Sequence, residues 1–164
     1  AAFYGGATIA WVESKVKNDG SNAKIGKAVS LKVDDRIKAF LLVPENQLAT
    51  AKARKLLPET ISHQDAVLNS SRTALLVHAL AERPDLLFTA TEDLLHQSYR
   101  AQAMPKTVAL VDKLRGAGLA AVVSGAGPSV MVLYAGGEDE IDQLQSIAPG
   151  FTSMKLAIAK AGVQ

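Results

Sequence analysis

Between Val123 and Val130 the chain places Ser124, Gly125, Ala126, Gly127, Pro128 and Ser129, a run with almost no side chain flanked by two apolar stretches. Glycines there can take positive φ and present bare N–H groups, and successive amides of that kind form a concave site for an anion. A tight hairpin that needs no Cβ has the same composition. Two arginines could supply charge to such a site. Thr50 and Arg54 are four apart and share one helix face. Arg100 follows an apolar stretch with His96 and Tyr99. Two guanidinium forks could clamp a carboxylate or a phosphate, and either arginine could equally be a solvated surface residue.

Other chemistries are excluded by what is missing. The P-loop pattern G-x-x-x-x-G-K-[ST] does not occur, and Gly125 and Gly127 lead through Pro128 into a β-like run, not into the helix a dinucleotide fingerprint requires. His63, His78 and His96 lack ligand spacing, so no metal is assigned. His78 falls in an apolar helical pattern and reads as a hydrogen-bonded core or half-buried residue. There is no cysteine and no G-x-S-x-G elbow. Asp34-Asp35 reads as a turn and Glu138-Asp139-Glu140 as the charged start of a helix. The formal net charge is +2, with one Trp, three Tyr and four Phe, which argues against nucleic acid. No apolar run approaches the roughly 18 residues that span a bilayer, so no membrane partner is expected and the cytoplasm is the default location. The opening AAFYGGATIAWVE starts inside an apolar pattern, which predicts a fragment whose partner elements lie upstream.

These residues need elements to hold them. Residues 7–12, 28–33 and 38–44 read as strands, with 13–24 as a polar turn cluster around Asn18, Asp19 and Gly20. A short helix is expected over 50–58 with Thr50 as N-cap, and a long one over 62–83 with Ser62 and Asp65 at its start. On the long helix Leu68, Leu75, Leu76, Ala79 and Leu80 fall on one face. Residues 86–100 read as two helical pieces. Residues 104–118 read as a helix with Pro105 in its first turn, Val108, Leu110, Val111 and Leu114 as its apolar face, and Gly116 and Gly118 at its end. Strands LAAVV and VMVLY flank the glycine loop. A helix over 138–148 and a strand over 151–159 close the chain. From residue 38 onward the order is strand, helices, strand, strand, helix, strand. The expected fold is α+β: an antiparallel sheet in a split β-α-β, ferredoxin-like arrangement with inserted helices.

The stretches ATAKARKLLPETI, HQDAVLNSSRTALLVHAL, LLHQSYRAQAMP and VVSGAGPSVMVL, in that order, resemble the C-terminal portion of the homoserine kinases. These are GHMP small-molecule kinases, named for galactokinase, homoserine kinase, mevalonate kinase and phosphomevalonate kinase. SGAGPS resembles the third motif of that superfamily. T-x-x-x-R before L-P, and H-x-x-x-R before M-P, point to homoserine kinase within it. The superfamily's P-x-x-x-G-L-x-S-S-A and H-x-D-N stretches are absent.

The resemblance implies a GHMP kinase C-terminal domain over residues 37–164, with 1–36 closing the nucleotide-binding half. It implies ATP-dependent phosphorylation of L-homoserine in threonine biosynthesis. Arg54 and Arg100 would hold the homoserine carboxylate, Thr50 would serve as the catalytic residue near the hydroxyl, and Gly125, Ala126 and Gly127 would approach the phosphoryl group. ATP and Mg²⁺ would be bound mainly by an N-terminal half not contained in this sequence, so the chain alone is expected to be inactive. The partners implied are L-homoserine and that half, and a homodimer is allowed. A non-catalytic amino-acid-binding regulatory module, or another GHMP kinase of mevalonate or shikimate type, stays open.

Overall fold

The computed structural model describes residues 6–16, 21–46, 48–136 and 148–159. They form two compact units. One holds the described residues up to Val33 with Ile158 and Ala159, and the other holds the described residues of Asp34–Ala157.

The first unit is an antiparallel ribbon of β1 (Ala7–Val16) and β2 (Asn22–Leu31), in register from Ala7 opposite Leu31 to Val16 opposite Asn22. Both strands run well into the segment expected as a polar turn. Cross-strand pairing overrides that composition. Glu13 accepts from Trp11 Nε1 at 2.9 Å and pairs with Lys27 at 2.9 Å. The Trp11 bond, then the Lys27 bond, hold its carboxyl below the usual range. Residues 17–20, where the turn was expected to centre, lie outside the described residues.

The second unit contains β3 (Lys38–Pro44), α1 (Thr50–Lys55), α2 (His63–Ala81), α3 (Leu87–Ala90), α4 (Gln97–Arg100), α5 (Pro105–Gly116), β4 (Ala120–Val123), β5 (Val130–Tyr134) and β6 (Phe151–Leu156). Short 3-10 turns precede α3 and follow α4. The four strands lie in the order β4-β5-β3-β6, every pair antiparallel. This is the split β-α-β order that the sequence predicts. The helix expected over 138–148 falls outside the described residues, except Ala148, which is buried and not helical.

Period-2 alternation builds the core. Phe40 stands opposite Val132 and Leu42 opposite Val130, and all four are fully buried. Leu110, Val111 and Leu114 of α5 close over them. Each such side chain contributes about 1.5–3 kcal/mol on burial. At one end of the sheet the outward groups of β4 are met by side chains, since among the described residues no strand lies beyond it. Arg115 Nη1 donates to Ala121 O at 3.2 Å, and Val123 N–H donates to Gln97 Oε1 at 2.7 Å. Arg115 also donates to Thr91 Oγ1 and Phe88 O and stacks 4.4 Å from the Phe88 ring centroid. Burial lowers its pKa from the ordinary value.

Two local expectations are corrected. Thr50 is the first helical residue of α1 and not its cap. The cap is Ala49, with no side-chain bond, and α1 ends at Lys55, well before Pro58. Leu68 is 37% exposed, so the apolar face of α2 begins later than the periodicity suggests. Of the two readings of His78 the half-buried one holds, its ring half exposed and 3.8 Å from Glu82. The Ser62 cap is present, its hydroxyl accepting from Asp65 N–H at 3.0 Å. Ser62→Ala should therefore cost about 0.5–2 kcal/mol, read as a lower urea midpoint with an unchanged slope.

Candidate functional site

The glycine loop joins β4 to β5 as a tight hairpin. Ser124 N–H donates to Ser129 O at 2.8 Å, and Gly127 N–H donates to Ser124 O at 3.0 Å. The Gly127–Pro128 peptide is cis. Pro128 O accepts from the buried Thr107 of α5 at 2.7 Å, which pins the far side of the loop.

Its two glycines are needed for different reasons. Both have positive φ, +60° at Gly125 and +83° at Gly127. A Cβ on Gly127 would stand 2.6 Å from Met104 Sδ and 3.1 Å from Val123 Cγ1. Gly127 is therefore bare because the protein packs against it. A Cβ on Gly125 would meet nothing within 4 Å. Among the described residues neither the Gly125 nor the Ala126 N–H has a protein partner.

Arg100, at the end of α4, is only 7% exposed. Its Nη1 donates to Gly125 O at 3.1 Å, while its buried Nε has no partner. A cavity of about 250 Å³ opens beside it, lined by Asp93, His96, Gln97, Arg100, Val122, Val123 and Gly125. Asp93 shapes one wall. Its carboxylate accepts the N–H groups of Leu95, His96 and Gln97 and lies 2.9 Å from His96 Nδ1. From α2, Asn69 Oδ1 accepts Leu94 N–H and Arg72 pairs with Glu92, holding the same segment. The result is a small polar hollow with a guanidinium on one side and uncovered backbone on the other. It suits a compact anion.

The structure thus brings Arg100 and the glycine loop together. Thr50 and Arg54 are exposed on α1 and do not line this cavity. Among the described residues no cluster of three or more side chains could hold a metal ion, and no helix is long and apolar enough to cross a membrane. Asp93, Gln97, Met104 and Thr107 were missed in the sequence. Only Asp93 left a signal there, as an acid just ahead of a helical turn.

Residues 71–149, which carry α4, α5 and the loop, match the family model described as GHMP kinases C terminal. Over that stretch the chain is similar to a GHMP kinase C-terminal domain. Among curated relatives, a homoserine kinase of Mycobacterium sp. (strain JLS) is 46% identical over 160 residues, which are 96% of this chain and 49% of the relative. A homoserine kinase of Leifsonia xyli subsp. xyli is 53% identical over 132 residues, covering 80% and 38%. The chain spans about half the length of the curated relatives it matches. A crystal structure of homoserine kinase from Cytophaga hutchinsonii superposes with a TM-score of 0.70, at 22% identity, covering 84% of this chain and 46% of that one. That likeness places the fold. The third-motif resemblance of SGAGPS falls on the loop that Arg100 grips.

Proposed function

We propose that this chain is the acceptor-side part of a homoserine kinase, which transfers a phosphoryl group from ATP to the hydroxyl of L-homoserine on the way to threonine. The observation that carries it is Arg100, a nearly buried guanidinium beside an open cavity with its Nε unpaired. A buried cation without a carboxylate partner is costly unless a ligand completes it. The identities of 41–53% to proteins named homoserine kinase support the choice of substrate.

In this reading Arg100 and Arg54 receive the homoserine carboxylate, and Thr50 stands near the acceptor hydroxyl. Residues 37–164 form the substrate-binding domain and 1–36 belong to the nucleotide-binding half. ATP supplies the phosphoryl group when bound. The free N–H groups of Gly125 and Ala126 would face its phosphate oxygens, with Gly127 shaping the turn. Mg²⁺ and most contacts to ATP would come from the rest of the protein, which acts in the cytoplasm and could assemble as a homodimer. Phosphoryl transfer asks for positioning and charge neutralisation more than for covalent protein chemistry, and these parts supply both.

The test is acceptor choice in the full-length enzyme carrying this chain. ADP release is measured with homoserine, mevalonate, shikimate and 3-amino-1-propanol, which is homoserine without its carboxylate. Homoserine should be preferred. The amino alcohol should lose about ten- to a hundredfold in kcat/KM, the worth of one charge-assisted bond. Equal use of the amino alcohol and homoserine would sink the carboxylate role.

A further inference from the structure

We propose that Gln97 is a positioning residue that sets the register of the glycine loop against Arg100. Its effect on turnover rests on the homoserine kinase reading, whereas its effect on the loop does not.

Val123 is the last residue of β4, and its N–H points off the edge of the sheet. Gln97 Oε1 receives it at 2.7 Å. Arg100, three residues on and so on the same side of the helical turn, reaches Gly125 O at 3.1 Å. The two ties straddle Ser124, where strand becomes loop. Gln97 itself is held at its backbone, its N–H donating to Asp93 Oδ2 at 2.7 Å. One short turn, held by the Asp93 carboxylate, therefore grips the loop at both sides of its entry. Arg100 makes the cationic wall, but its own bond to Gly125 can place both partners only if the strand end is already fixed. A reacting group misplaced by about 1 Å can cost about a hundredfold in rate. Removing the acceptor from a part-buried N–H costs on the order of ten- to a hundredfold in the population of the native arrangement.

Gln97→Met keeps the length and removes the acceptor, while Gln97→Glu keeps the oxygen. Wild type and both variants are compared by amide hydrogen exchange at Val123 and Gly125, and by kinase assays at varied homoserine and varied ATP. Gln97→Met should speed exchange of the Val123 amide about tenfold or more. It should raise the KM for homoserine about tenfold and, because the loop amides would face its phosphate, the KM for ATP as well, and Gln97→Glu should return the exchange rate toward wild type. If Gln97→Met does not fold, Gln97→Asn, one methylene shorter, is read in the same way. Unchanged exchange at Val123 would overturn the inference whatever the substrate. Faster exchange with wild-type kinetics would overturn it as well, because loop register would not matter to turnover. If wild type uses another acceptor and not homoserine, and Gln97→Met raises the KM for that acceptor, the homoserine reading falls and the role of Gln97 stands.

Discussion

Arg100→Leu should lower kcat/KM for homoserine about ten- to a hundredfold or more while leaving the thermal melt within about 3 °C of wild type, or raising it. In the proposed reading, and measured in the full-length enzyme, the activity loss follows from removing a charge-assisted bond to a carboxylate, worth about 1.5–3 kcal/mol. The stability side follows from burial. The folded protein already bears a guanidinium that is 7% exposed, with one nitrogen unpaired. Replacing such a group with an apolar side chain of similar volume is often neutral or stabilising. The one bond it gives up is to Gly125 O, on an exposed residue where water can take over. Arg100→Lys should recover only part of the activity, since an ammonium cannot reproduce the planar fork. Kinetics at varied homoserine and varied ATP, beside a melt, check this. A fall of 10 °C with equal loss against both substrates would make Arg100 a fold-holding residue and nothing more.

Gly127→Val should lower turnover for a different reason: it should destabilise the protein around the loop by about 2–5 kcal/mol. The substitution puts a β-branched residue at φ +83° and a Cβ 2.6 Å from Met104 Sδ. Left-handed backbone costs about 1–2 kcal/mol and overpacking about 1–3 kcal/mol. Together these take a large share of the about 5–15 kcal/mol that holds a domain. From the sequence alone a Cβ there would be expected to block a ligand, but the structure assigns the obstruction to Met104. Gly125→Ala separates the two effects. Its Cβ meets nothing within 4 Å, so it should cost only the backbone penalty of about 1–2 kcal/mol. Chemical unfolding of both variants measures this. Met104→Ala truncates a buried side chain, so it should cost less stability in the Gly127→Val background than in wild type, and equal costs in the two backgrounds would put the whole effect in the backbone.

The parts of the fold that were legible were those whose pattern agreed with their packing. Residues 38–44, 120–123 and 130–134 are short apolar runs bounded by turn residues, and all three are strands of the sheet, with the clearest alternation of burial in 130–134. Residues 105–116 bury the predicted Leu110, Val111 and Leu114. The strand ends Glu13–Val16 and Asn22–Lys24 were not legible, because their polar residues are strands only through partners across the ribbon. The glycine loop announced itself by composition, yet the reason for Gly127 lies in Met104, a contact no local pattern encodes. Arg100 could be singled out, but its burial could not, since a lone arginine ordinarily lies at the surface. Gln97 looked like any polar helix residue. Its partner Val123 is 26 residues away, and only the folded chain brings the two together.

The side chains at the margin of β4 bear on aggregation as well as on catalysis. An uncovered outer strand is a template on which an extended peptide can lengthen a sheet, the first step of domain swapping or amyloid growth. On β4 the template is already occupied, with Ala121 O taken by Arg115 and Val123 N–H by Gln97. An incoming chain would have to evict a guanidinium and an amide before making its first ladder bond. The turn that carries Arg100 and Gln97 therefore also blocks sheet growth on that flank, so sequence changes that reshape the cavity through residue 97 also change the protein's resistance to self-assembly.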